Sequence, residues 1–177
     1  LRSWWLQRHV PRLSRGDQIG FCTESCRLPT NSMAPPSRRR TRYDNQVAAI
    51  MSYAGAKIGY SPKTDAERAR ADCITGNAVD FIGRGRSSFH PVEDSASYHS
   101  QKEEGDKASK AWSQTKLPMW LQHFEKIVKR AGDGPVAGGS GLTYADFVLF
   151  HVLDAAQAQF NTAAYGNAWD SADVPNL

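Results

Sequence analysis

The sequence predicts a mostly α-helical domain built around one nearly all-apolar helix, and three observations predict it. The first is the run Leu142-Thr143-Tyr144-Ala145-Asp146-Phe147, continuing through Val148 to Leu153. Thr143 is placed as an N-cap, and Asp146, three residues on, can reach back to the cap's own N–H and face the positive helix end. Leu142 and Phe147 take the positions of a hydrophobic staple. From Phe147 to Leu153 only His151 is polar, so the helix belongs inside a core with other helices about it. The second observation is the amphipathic stretch Leu117, Trp120, Leu121, Phe124, Ile127, Val128 and Ala131, with Gln122, Glu125, Lys126, Lys129 and Arg130 on the opposite face. Pro118 is tolerated in its first turn and Gly132 closes it. The third is a further capping box, Thr64 with Glu67, opening a helix that carries Cys73, Ile74, Ala78, Phe81 and Ile82 on one side.

Taken in order, the chain changes texture at Gln46. Before it, residues 1–45 offer a weak strand signal at Gln18–Thr23 and then Pro29, Pro35, Pro36 and Arg38-Arg39-Arg40, an irregular basic segment that cannot bury a core. After it, Val47, Ile50, Met51, Ala54 and Ile58 recur at helical spacing up to Gly59, with Pro62 beyond. In the Thr64 helix, Gly76 is expected to weaken the middle and Gly83-Arg84-Gly85 to fray or bend the end. Residues 91–110 are polar and charged and are expected to be a mobile connection. Beyond Ala155 the chain turns rich in Ala, Asn and Gln. We therefore expect three segments: 1–45 irregular, 46–60 a single helix, and 61–177 a helical domain.

Composition excludes several classes. Hydrophobic residues make up 40% and charged residues 23%, as in ordinary globular chains. No apolar run has the length that crosses a bilayer, so no membrane role is expected. Cys22, Cys26 and Cys73 form no disulfide framework and suit a reducing, cytoplasmic setting. No second ligand pair accompanies Cys22 and Cys26, so no metal is expected. The net charge of +4 is uneven: residues 1–44 hold nine Arg against Asp17, Glu24 and Asp44, a surplus of six, which leaves −2 for the rest. That basic arm has no aromatic interleaving and no nucleic-acid motif, which argues against a nucleic-acid partner.

Three segments resemble the cytosolic glutathione transferase family, its sigma-, mu- and pi-like members in particular. Leu117-Pro118 with Leu121, Phe124 and Glu125 resembles the family's "LP…L…FE" helix. Gly139-Ser140-Gly141-Leu142-Thr143-Tyr144-Ala145-Asp146 resembles its "G…LT.AD" capping box and staple. Gln46 to Gly55, followed by Gly59-Tyr60-Ser61-Pro62, resembles "QS.AI.RYAGKL.GLYP", the last helix of a thioredoxin-like domain. The resemblance implies a glutathione-transferase C-terminal helical bundle over residues 61–177. It implies that the bundle is preceded by a degenerate or truncated thioredoxin-like segment. It further implies glutathione as co-substrate, a hydrophobic electrophile and a homodimer.

Site residues follow from the same resemblance. Val10-Pro11, then Glu24-Ser25, resemble the cis-Pro loop and the acidic-Ser pair that hold glutathione; Gln46-Val47 competes for the pair's role, and only one placement can hold. Helix position favours Gln46, whose amide and first-turn N–H groups suit the γ-glutamyl end; Val47 supplies no hydroxyl there. Asp80 aligns with a carboxylate that contacts the ligand's ammonium across a subunit interface, and an ordinary solvated Asp is the competing reading. Phe89 and His90 fall where the family lines its electrophile pocket, against the plainer reading of loop residues. Thr143 and Asp146 are read as structural, and His151, three residues before Asp154, as a satisfied histidine at the core edge.

Family chemistry lowers the thiol pKa of glutathione with a Tyr, Ser or Cys near the first strand, and the thiolate attacks the electrophile. Tyr43, Ser3 and Cys22 do not stand in that context, so the activating residue is unassigned. The expectation is an enzyme family represented by an inactive fragment, with a non-catalytic binding or structural module of the same fold as the alternative.

Overall fold

The computed structural model describes residues 46–177, which all fall in one compact unit. Five α-helices follow one another: α1 Val47–Ile58, α2 Asp65–Ser87, α3 Lys102–Thr115, α4 Leu117–Ala131 and α5 Tyr144–Phe160. Short 3-10 turns at Tyr98–Gln101, Ala163–Tyr165 and Asp170–Ala172 complete it, and no strand occurs among the described residues. The mostly helical class predicted from the sequence is the one observed.

The centre is the pair α2 and α5. On α2 the buried residues are Ala71, Ile74, Thr75, Ala78, Phe81 and Gly85, spaced three or four apart as one face of a helix requires. On α5 they include Ala145, Val148, Leu149, Val152, Ala156 and Phe160. Helix α1 packs across both, α3 packs on α4, and the final turns cover α3 and α4.

Both predicted capping boxes are present. Thr64 Oγ1 accepts from the Glu67 N–H at 3.2 Å, and Glu67 Oε2 accepts from the Lys63 and Thr64 N–H groups at 2.8 and 3.2 Å. Those two backbone donors hold the Glu67 carboxyl below the usual carboxylate range. Thr143 and Asp146 close the second box, and here the carboxylate makes most of the junction. Oδ2 accepts from the Thr143 N–H at 2.8 Å and from its hydroxyl at 2.9 Å, while Oδ1 accepts from the Val136 N–H at 2.8 Å. Asp146 thereby ties the loop after α4 to the start of α5. The same loop is pinned to α2 by Arg70 Nε donating to the Ala137 carbonyl at 2.8 Å.

Several expectations are corrected. Residues 91–110 are no mobile connection, because α3 begins at Lys102 and is preceded by an ordered turn. Its buried positions are Gly105, Ser109 and Ser113, which carry little hydropathy but let the helix sit close. A Cβ on Gly105 would lie 2.9 Å from the Phe89 carbonyl oxygen. The Ser109 and Ser113 hydroxyls are satisfied by carbonyls three residues back, at 3.2 and 2.8 Å. Buried Gln101 organises the loop before it: its Oε1 accepts from the Val92 and Glu93 N–H groups, and its Nε2 donates to the Glu93 and Ala96 carbonyls.

Helix α2 runs unbroken for 23 residues through Gly76 and Gly83–Gly85, so its end is not frayed. Gly85 backs onto the Trp112 ring, so packing outweighs glycine's low propensity. Cys73 and Ile82 do not join its buried stripe and are exposed. On α1, Val47, Ile50 and Ile58 are exposed, Met51 and Ala54 are half-buried, and only Gly55 is buried. Gly55 meets Tyr144 so closely that an added Cβ would lie 3.0 Å from its ring. Helix α5 is not buried all round: Phe150, His151 and Asp154 are exposed, so His151 does not sit at the core edge. The helix also outlasts the apolar run and ends at Phe160.

Candidate functional site

Two features of the described residues have the chemistry of a ligand site. The first is the start of α1. Gln46 has φ 77° and ψ 124°, a left-handed φ that a side chain rarely adopts and that costs on the order of 1–3 kcal/mol. Its carbonyl accepts the Ile50 N–H at 3.0 Å, but its side chain does not cap the helix. No acidic residue stands in the first turn. The N–H groups of that turn form the positive end of the helix dipole, where a carboxylate is favoured. The contrast with α2 and α5, both closed by boxes, is internal to the chain. Val47 follows with half its surface exposed and offers no hydroxyl.

The second feature is an apolar groove of about 300 Å³ between the C-terminal halves of α2 and α5 and the side of α3. Its wall holds the rings of Phe81, Phe89, Trp112 and Phe160. The rings support one another: Trp112 lies 5.1 Å from Phe160 and 5.8 Å from Phe81, and Phe89 stacks on Phe160 at 6.0 Å. Behind them Phe81 meets Phe124 edge-on at 5.4 Å, so the groove floor is the outer layer of the core.

The residues singled out in the sequence separate here. Phe89 stands in the groove wall. His90 does not: its Nδ1 donates to the Ala96 carbonyl at 3.0 Å, fastening the 88–96 loop. Asp80 is exposed on α2. Val10, Glu24 and Ser25 lie outside the described residues. Thr143 and Asp146 are fully engaged in the capping box, which accounts for them without chemistry. Trp112, Phe160 and Arg86 were missed in the sequence; the only signal was aromatic content on helices whose packing partners were unknown.

One further group was missed. Tyr144, nearly fully buried, donates from its hydroxyl to Asp72 Oδ1 at 2.5 Å, and its N–H donates to the Tyr60 carbonyl at 3.0 Å. Burial first, and the bond to Asp72 second, push its pKa up to about 12. The phenol therefore remains a hydrogen-bond donor through neutral pH and binds α5 to α2 rather than titrating.

Residues 88–174 match the family model of the glutathione S-transferase C-terminal domain. The chain carries a glutathione S-transferase C-terminal domain. The match takes in the groove residues Phe89, Trp112 and Phe160, the α3–α4 pair and the whole of α5. It begins after both α1 and α2, so Gln46, Val47 and Asp80 lie before the matched stretch. A search of curated proteins finds no match to this chain. Among the described residues, no helix of this transferase-type domain and its neighbours is long and apolar enough to cross a membrane.

Proposed function

We propose that this chain is part of a cytoplasmic, dimeric glutathione transferase whose complete form conjugates the glutathione thiolate to apolar electrophiles. The observation that carries the proposal is the strained, side-chain-uncapped start of α1 at Gln46. A non-glycine residue held at positive φ is maintained when the conformation serves a purpose, and a helix N-terminus without a side-chain cap is suited to the γ-glutamyl carboxylate. In this reading the Gln46 amide and the Val47 N–H hold glutathione, and the aromatic groove takes the electrophile. Asp80, exposed on α2, reaches the ligand ammonium of a second subunit. The group that activates the thiol is unassigned.

A specific observation favours the second reading, a non-catalytic binding or structural module of the same fold. Val47 stands where the family has a hydroxyl, so the described residues supply one contact fewer to glutathione. Turnover of an aryl halide once upstream sequence is restored to the chain supports the first reading, and inactivity of the restored protein supports the second.

Gln46→Gly separates ligand binding from folding. Glycine relieves the positive φ, so the variant should be more stable by up to about 1 kcal/mol. It should also bind immobilised glutathione about tenfold more weakly, because a hydrogen-bonding amide is lost. Urea unfolding and retention on a glutathione column read the two effects. Unchanged retention with raised stability would remove Gln46 from the ligand site.

A further inference from the structure

Among the described residues that form the groove wall, Arg86 alone is ionised, and the rest are apolar or aromatic apart from Gln159. Arg86 sits in the last turn of α2, where the negative helix end favours a cation. Its side chain is 61% exposed, with its nearest charge partner among the described residues, Asp94 Oδ1, at 3.6 Å from Nη1. That separation exceeds a hydrogen bond, and a solvated pair of this kind holds its members weakly. The guanidinium therefore keeps donors for a ligand, while the alkyl stem of an arginine can lie along an apolar wall.

A volume of about 300 Å³ is at the small end of sites for drug-sized molecules and accommodates one fused-ring aromatic body. Four rings on the wall suit a flat aromatic ligand, and a planar fork at the rim suits a carboxylate. We infer that Arg86 is a specificity-determining residue, and that the groove selects aromatic ligands bearing a carboxylate over neutral ones of the same shape. This rests on the groove being the electrophile site, as proposed above. A cationic ligand is disfavoured by the same charge.

The test uses the full chain and a matched pair of probes, naphthalene-2-carboxylate and naphthalene-2-carboxamide, titrated calorimetrically at low salt. The expected result is a carboxylate bound about fivefold more tightly than the carboxamide, the range of an exposed charge-assisted contact. Arg86→Gln should bring the two affinities together, with circular dichroism confirming an intact helical fold. Asp94→Asn, which removes the competing carboxylate, should strengthen carboxylate binding. Equal affinities in the unaltered chain, or a preference that survives Arg86→Gln, overturns the inference. Binding of neither probe overturns it together with the groove's role, whereas glutathione retention through Gln46 is read separately and can stand.

Discussion

Replacing Asp146 with alanine is expected to cost about 3–5 kcal/mol of folding stability, far above an ordinary helix cap. The reason lies in what the carboxylate joins. It is 4% exposed and accepts from the Val136 N–H, the Thr143 N–H and the Thr143 hydroxyl, all within 2.9 Å. Alanine leaves the Thr143 donors without their acceptor beside a buried helix start, and each unsatisfied buried donor costs about 1–3 kcal/mol. It also releases Val136, so the loop between α4 and α5 loses its anchor. Asp146→Asn keeps one oxygen acceptor and should cost about 1–2 kcal/mol. Thr143→Ala leaves the carboxylate in place and should cost about 1 kcal/mol. Urea unfolding midpoints order the three variants. A loss below about 1 kcal/mol for Asp146→Ala would show that the box does not hold α5 in place.

Phe124→Ala is expected to cost a similar 3–5 kcal/mol, by a different route. Phe124 is fully buried on α4 and contacts Phe81 edge-on at 5.4 Å and Trp120 in a stacked arrangement at 5.9 Å. Removing the ring opens a cavity at the junction of α2 and α4 that helix backbones cannot collapse to fill. Because Phe81 forms part of the groove floor, its loss of support should also loosen aryl-ligand binding, although Phe124 does not line the groove. Phe124→Leu refills most of the space and should cost about 1–2 kcal/mol. Thermal unfolding gives the stability. A Phe124→Ala variant within about 1 kcal/mol of the parent would mean that α2 and α4 are not packed as described.

How much was legible in the sequence depended on where each element keeps its information. Helix α4 was readable because its buried positions, Leu117, Leu121 and Phe124, are large and apolar at helical spacing. Helix α5 was readable from its capping box, which is local chemistry. Helix α3 was not, because its buried positions are Gly105, Ser109 and Ser113, and small residues announce close approach only once the neighbour is known. Gln101 read as an ordinary polar residue, yet its buried amide satisfies four backbone groups of the 92–96 loop. On α2 the stripe was drawn too wide: Ile74, Ala78 and Phe81 define it, and Cys73 and Ile82 are each one residue, about 100°, to the side.

The candidate site shows the same division. Gln46 was found through the family resemblance and favoured by its place at a helix start, but its positive φ is a backbone property that glutamine itself does not signal. Phe89 was found only through the family resemblance. Trp112, Phe160 and Arg86 come from three different helices and meet only because α2, α3 and α5 pack together. A groove made by tertiary packing has no local pattern to read.

The central claim is that a glutathione site and the aromatic groove serve one ligand pair in this protein. Calorimetric titration with glutathione and with S-hexylglutathione tests it most directly. Both should bind, and the hexyl conjugate should bind at least about tenfold more tightly, because its methylenes leave water for the groove at about 0.8 kcal/mol each when fully buried. Equal affinities would contradict the joint site, and binding of neither would contradict the proposed function itself.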